Sequence, residues 1–414
     1  MTSRRLLAPG GTIADLLCSD RVLLERMLDV ELAWCRVLHG AGRIDGESLQ
    51  HVERAVRALQ RQTGLVDTLA AEAGAGGNPV IPLVAALRRE IEQMSPDAAW
   101  LVHRGLTSQD TLDTALMLMA RDVLDVVSER LHESVSAVAR LADEHRDTLM
   151  IGRTLTQQAT PTTFGLRAAS WLQSLAGAGA RIDQVRGRLP VQCGGAVGNL
   201  AAVAEVVPDA DPLELSHALA TELGLEPALP WHVRRTAVTD LADALATVTD
   251  AYGHLAGDVV TLCRTEIGEL SEPAKQGRGS SSTLPGKRNP VLSIEIRQSA
   301  LGAPHDLAAV HLASVLAVDD RPDGAWHSEW QPLCRLLGAA AITATLGAEL
   351  LPGLEVHREV MRAHVDDALP GALAEQAAMH RAVEPEGHAD PTTYLGATHQ
   401  IIDRALDAVR EDEC

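Results

Sequence analysis

Between Gly279 and Pro290 the chain places Ser280, Ser281, Ser282 and Thr283 a few residues ahead of Lys287, Arg288 and Asn289. Hydroxyls beside a fixed cation can hold a carboxylate, and they can also let a serine carry the negative charge it needs to act as a base. The small residues argue against helix or strand, so the stretch reads as a mobile loop. Asn289-Pro290 then supplies an N-cap followed by a proline suited to a first helical turn. The free N–H groups of that helix start add positive potential near the hydroxyls. On composition alone, a solvated Gly/Ser linker explains the run equally well.

Other stretches carry polar side chains at turns. His103-Arg104-Gly105-Leu106-Thr107-Ser108-Gln109-Asp110 opens a helical pattern, and Thr107 to Asp110 has the spacing of a capping box. A cap and an anion site use the same orphan N–H donors, so the two readings are compatible. Arg153, with Thr154 and Gln157 close behind, has the forked guanidinium that binds carboxylates through two bonds. The plainer reading is a helix-end arginine paired with an acid. Gln192 to Asn199 is glycine-rich, but no Lys-Ser/Thr follows the glycines as a phosphate loop requires. Gly74 to Pro79 reads as a loop and lacks the strand, helix and glycine spacing of a dinucleotide fingerprint. His327 lies between Trp326 and Trp330 and reads first as a packed, hydrogen-bonded histidine.

Long helices are expected to position these turns. Leu112, Leu116, Met119, Val123, Val126, Val135, Val138 and Leu141 recur at three- and four-residue steps, predicting a helix that runs to about Asp147. A second apolar helix is expected from about Thr162 to Leu189. A third carries Leu241, Leu245, Val248, Tyr252, Leu255, Val259 and Leu262 in alternating steps of four and three, a coiled-coil-like seam. A further helix is predicted from Pro290 to about Val318, broken near Gly302 to Pro304. Shorter helices are expected over 20–38 and 47–59. The boundaries drawn are an N-terminal helical domain over 1–102, a central bundle over 103–350 and a short C-terminal helical domain over 351–414.

The chain has 414 residues and a formal net charge of −20, which disfavours duplex phosphate or an anionic membrane as partner. Aromatics are only 2% of residues, leaving little for base stacking. The six cysteines, Cys18, Cys35, Cys193, Cys263, Cys334 and Cys414, form no C-x-x-C pair, so free thiols in a reducing cytoplasm are expected and structural zinc is not. No run of about twenty apolar residues is evident, so a soluble protein is expected.

The loop at 279–290 resembles the GSSxMPxKxNP signature of the fumarase/aspartase superfamily, with Ser281, Lys287 and Asn289 at the matching positions and Leu284 in place of Met. Thr107-Ser108-x-Asp110 resembles the superfamily's Thr-Ser-x-Asp motif. Ile151 to Pro161 is similar to its Gly-Arg-Thr-His-x-Gln-x-Ala-x-Pro, with Leu155 where fumarases and adenylosuccinate lyases carry a general-acid His. Gly77-Asn78-Pro79-Val80-Ile81-Pro82, Gln192 to Gly198, Pro230-Trp231-His232-Val233-Arg234-Arg235 and Asp319 to Trp330 resemble segments of the bacterial 3-carboxy-cis,cis-muconate cycloisomerases. Gly286 departs from that branch, which usually has His there.

The resemblance implies an all-α, three-domain fold built on a long helix bundle, and a homotetramer whose active sites are shared between subunits. It implies a small di- or tricarboxylate substrate and no cofactor. Ser281 would remove the proton next to a carboxylate, and Lys287, Asn289, Thr107 and Ser108 would stabilise the carbanion. His103 would be a second proton-transfer or positioning group. Arg153, Thr154, Gln157, Arg235, Asn78 and His327 would line the substrate. The reaction implied is lactone formation or opening. The alternative is a lyase that eliminates ammonia, nitrite or an amine from a substituted succinate to give fumarate. A third reading, a catalytically dead structural relative, fits poorly with the retained Ser281, Lys287 and Asn289.

Overall fold

A computed structural model of the chain describes residues 10–280, 283–284, 286–369, 371–383 and 390–412. The first half runs α1 (Thr12–Leu17), α2 (Asp20–Gly40), α3 (Gly46–Arg61), α4 (Leu65–Gly76), α5 (Val80–Glu92), α6 (Pro96–Leu101), α7 (Ser108–Glu144), β1 (Leu149–Thr154), β2 (Gln157–Thr163) and α8 (Phe164–Arg186). It continues with α9 (Ala201–Val206), α10 (Pro212–Leu223), α11 (Thr236–Leu262), β3 (Leu270–Ser271), α12 (Val291–Val315) and α13 (Gly324–Leu350). β4 (Glu355–Val356), α14 (Arg358–Ala368), α15 (Ala374–Val383) and α16 (Thr398–Asp412) close the chain. The expected all-α architecture is what is observed, with two small antiparallel pairs, β1 with β2 and β3 with β4, as the sheet content among the described residues.

Helices with an apolar period form where that period predicts them, because each buries its stripe. α7 buries Leu112, Leu116, Met119 and Val123, and α11 buries Leu241, Leu245, Val248, Tyr252, Leu255 and Val259. Four differences stand out. Gly74 and Gly76 lie inside α4, whose leucines and alanines outweigh the glycine cost. α12 stays continuous across Pro304, which is solvent-facing. Residues 149–163 form a hairpin, so Arg153 is on a strand and not at a helix end. The segment from Gly324 to Gly353 is long and apolar enough by composition to cross a bilayer, contrary to the sequence reading. Because 61% of its apolar 18-residue stretch is buried within the chain, it reads as a core helix.

The chain divides into two compact units, each drawn from three segments. The first comprises Met1–Val126, Ile182–Leu245 and Ala303–Ala341. Its core is built on α2, which buries Leu28, Trp34 and Leu38 and packs on α3 and α10. The second comprises Val127–Arg181, Ala246–Gly302 and Ile342–Cys414. There the Tyr252 hydroxyl donates to Ser134 Oγ at 2.8 Å, and the Trp171 indole donates to Asp258 at 2.9 Å. Leu149 and Ile151 of β1 pack with Val365 of α14 and with Ala372.

Candidate active site

In the first unit, Asp110 gathers several of the motif segments. Fully buried near the start of α7, it accepts from Thr107 N–H at 2.9 Å, Gly194 N–H at 3.0 Å, Gly195 N–H at 2.9 Å, Gln192 Nε2 at 3.2 Å and His232 Nε2 at 2.9 Å. The capping box is therefore half formed: Asp110 takes the Thr107 N–H, but no reciprocal bond is made by the Thr107 hydroxyl. Neither that hydroxyl nor the Ser108 hydroxyl has a partner among the described residues, and both side chains are half-buried. Two donors thus sit at a helix start, as a carboxylate site requires. Gly194 must lack a side chain, since a Cβ there would come within 2.7 Å of the His232 ring.

His103 stands on the turn before α7 with a left-handed φ of 62°. Its Nδ1 donates to Glu31 Oε1 at 2.7 Å, and Thr111 Oγ1 donates to the same oxygen at 2.8 Å. Burial works against the charged ring, but Glu31 and, more weakly, Asp110 outweigh burial and the nearby Arg88. The net effect holds the imidazole above its ordinary pKa.

Arg235 corrects an expectation. Its guanidinium is buried and held by Asp113 at 2.7 and 3.2 Å, by Glu329 and by the His232 carbonyl, and it lies over the Trp231 ring. No face remains for a substrate carboxylate, so Arg235 is a structural cation. Trp326 Nε1 donates to Asp113 at 2.9 Å and joins the same network. His327 is exposed, donates from Nδ1 to the Asp323 carbonyl at 3.0 Å and packs against Trp326 and Trp330. A Cβ on Gly77 would lie 3.6 Å from His327 Nε2, so the two segments adjoin. The neighbouring Asn78 is buried, accepting from Val80 N–H and donating to the Gly76 carbonyl just ahead of α5; its amide is engaged by the backbone.

The remaining motifs belong to the second unit. Thr154 pairs with Gln157 across a two-residue turn, and Leu155 and Thr156 both have positive φ, 48° and 75°. Such turns favour Asn-Gly, so Leu155 is held there at a cost, and its side chain is 97% exposed. Thr154 and Gln157 are exposed at the same tip. Arg153 makes a two-point ion pair with Glu269, at 2.7 and 3.0 Å. Glu269 is fully buried and also accepts from His364 Nδ1 at 2.6 Å. Arg153 is therefore paired within the chain, although its side chain keeps 19% exposure.

Three contacts secure the root of the 279–290 loop. Glu272 accepts from Leu292 N–H, Ser293 N–H and Ser293 Oγ, closing the start of α12. Glu349 receives Lys275 at 2.9 Å and also Arg278. The Gly279 carbonyl accepts both Asn289 N–H at 2.9 Å and Asn289 Nδ2 at 3.1 Å. Gly279 has φ 69°, and a Cβ on it would fall 2.5 Å from the Asn289 carbonyl oxygen. Lys287 is exposed, and its ammonium has no partner among the described residues. Ser281, the expected base, lies outside the described residues, as do Ser282 and Pro285.

Sequence reasoning missed the acids behind these groups: Glu31, Asp113, Glu269 and Glu329. Glu31 left one signal, a charge inside the apolar run Val30-Glu31-Leu32-Ala33-Trp34. Among the described residues no group of three or more His, Cys, Asp or Glu side chains is placed to hold a metal ion.

A family model described as lyase matches residues 17–302. The chain is 40% identical to a nitrosuccinate lyase of Streptomyces davaonensis, over 97% of this chain and 94% of that protein. It is 35% identical to a 3-carboxy-cis,cis-muconate cycloisomerase of Bradyrhizobium diazoefficiens, over 98% of each. Its fold is similar to the solved 3-carboxy-cis,cis-muconate lactonizing enzyme of Pseudomonas putida, with a TM-score of 0.83 and 30% identity over 97% of both chains.

Proposed function

Since the chain belongs to the lyase family of the fumarase/aspartase superfamily, in its 3-carboxy-cis,cis-muconate cycloisomerase-like branch, we propose that it moves the proton beside a carboxylate of a small di- or tricarboxylate, removing it as a lactone opens and delivering it to the carbanion as the lactone closes. The observation that carries the choice of leaving group is Leu155. A departing amine or ammonia needs a proton, and at the position where fumarases and adenylosuccinate lyases carry a general-acid His this chain has an exposed leucine, which has none to give. A carboxylate oxygen leaves as a weak base and needs no acid. In the lactone reaction, that oxygen is the substrate's own.

Ser281 is the base in this reading, with its alkoxide stabilised by the Lys287 ammonium and by loop N–H groups. Loss of the proton places charge on the two oxygens of the neighbouring carboxylate. In this reading, hydrogen-bond donors contributed to that carboxylate lower the barrier by electrostatic preorganisation. Thr107 and Ser108 offer hydroxyls, Lys287 its ammonium, and Asn289 the amide hydrogen not bonded to Gly279. Arg153, oriented by Glu269, keeps part of its side chain exposed for the substrate, and Thr154 and Gln157 follow at the hairpin tip. His103 supplies a cation to a second carboxylate.

Assembly as a homotetramer is part of the proposal. Ile294, Leu301, Ala308, Leu312 and Val315 step by seven, seven, four and three along α12 and are all exposed, an apolar seam that a second helix would cover. The described cysteines are free thiols, which supports a reducing cytoplasmic setting.

A second reading, loss of nitrite from a nitro-substituted succinate, is favoured by Gly286 in place of the cycloisomerase His and by the nitrosuccinate lyase relative. Nitrite is also a weak base and equally needs no acid. Incubation with 3-carboxy-cis,cis-muconate and, separately, with fumarate plus nitrite, followed by ultraviolet absorbance, separates the two. Lactone formation is the expected result. Addition to fumarate selects the nitrite reading, and inertness toward both overturns the proposal.

A further inference from the structure

Glu31 is wholly buried in α2, yet its Oε2 has no hydrogen-bond partner among the described residues. Its Oε1 takes both His103 Nδ1–H and Thr111 Oγ1–H. A core carboxylate kept for stability alone would have both oxygens satisfied, because an unpaired buried acceptor is costly. The turn it faces is held with unusual care. Trp34 Nε1, one helical turn further along α2, donates to the Arg104 carbonyl at 2.8 Å, and Arg88 of α5 donates to the Val102 carbonyl at 2.6 Å. Gly105 has φ 88°, and a Cβ there would come within 2.8 Å of Val203. These contacts lock His103 into its left-handed backbone, a strained conformation that persists only where surroundings impose it.

A carboxylate only accepts, so Nδ1 must carry the proton in this pair and Nε2 is left as the outward atom. Nε2 makes no hydrogen bond among the described residues, and the side chain retains 15% exposure. The charged groups facing the ring are Glu31 from α2, Asp110 from α7 and Arg88 from α5. Two acids against one base leave the ring in a net negative surrounding.

We infer that Glu31 is a positioning residue for His103, holding Nδ1–H and so the orientation of the ring, and keeping the ring cationic so that Nε2–H binds one carboxylate of the polycarboxylate substrate. This deepens the reading above and rests on it, since it requires His103 to meet the substrate.

The test is the pH dependence of kcat/KM for the full chain and for Glu31→Gln, Glu31→Asp and His103→Gln, using the substrate turned over in the absorbance assay. Glu31→Gln keeps the shape and removes the charge. Its alkaline limb should move to lower pH by about one unit or more, with the loss falling on KM and recovering as pH is lowered. Glu31→Asp, which keeps the charge at a greater distance, should move the limb less and gives the same readout if Glu31→Gln does not fold. A uniform loss of activity with the limb unmoved, or no effect, overturns the inference. Wild-type kinetics for His103→Gln would instead remove His103 from the site, and the proposed binding arrangement with it.

Discussion

Asp110→Asn tests how the first unit holds its candidate donors. The substitution preserves shape and replaces one carboxylate oxygen by an amide nitrogen. Oδ2 accepts from Thr107 and Gly195 N–H, and Oδ1 from Gly194 N–H, Gln192 Nε2 and His232 Nε2. Whichever way the new amide turns, its NH2 faces at least two N–H donors and those bonds are lost. Each is a buried bond to a charged acceptor, worth about 1.5–3 kcal/mol, so about 3–6 kcal/mol is at stake. His232 can flip or rearrange its ring proton, which places the expectation toward the lower half of that range. Urea unfolding followed by tryptophan fluorescence should show the midpoint falling with the slope unchanged. Turnover should drop as well, because Thr107 and Ser108 ride on the same turn. A loss of stability below about 1 kcal/mol would refute the reasoning, since that is what one ordinary neutral hydrogen bond contributes.

Gly279→Ala should leave the fold intact and lower turnover by about 10²-fold, because a Cβ there displaces the Asn289 backbone and small misplacements of catalytic groups carry penalties of that size. Gly277→Ala, with a similar φ of 80° and open space around it, is the control and should retain most activity. Leu301→Glu combined with Leu312→Glu puts charge into the α12 seam and should reduce the mass found by light scattering; an unchanged mass would remove the seam as an interface. Burial, with the Asp113 charge, pushes Glu329 up from its ordinary 4.5 to about 7, despite the opposing pull of Arg235. The folded chain therefore binds this proton more tightly than the unfolded one, and its stabilising effect is complete below pH 4.5 and lost as pH rises through 7. Unfolding of the wild type and of Glu329→Gln between about pH 5 and 8 should show the variant gaining relative stability toward the alkaline end; a constant difference would contradict this.

The long helices were legible because burial of one stripe imposes a repeat on the sequence, and α7 and α11 end within a few residues of where that repeat stops. The hairpin at 149–163 was not, because Gly152, Thr154, Thr156 and the glutamines carry neither an alternating pattern nor an Asn-Gly turn. Pro304 misled because proline's missing N–H matters less on the solvent side of a helix that is anchored on both sides of it. Polar turns carrying His103, Thr107 and Asn289 could be picked out locally, since caps and loop composition are local properties. Their partners could not: Glu31 and His103 are 72 residues apart, and Asp110 and His232 are 122 apart. Arg235 was read as a clamp because a guanidinium fork suits an internal carboxylate as well as a bound one, and only the positions of Asp113 and Glu329 distinguish the two.

The most direct test of proton removal by the 279–290 loop is turnover and solvent deuterium exchange at the carbon beside the substrate carboxylate, compared between wild type and Ser281→Ala. The variant should fold and assemble normally while losing about 10²-fold or more of both, the usual contribution of a positioned base. Retention of more than about a tenth of either would contradict it, because that is far smaller than the loss such a base should cause.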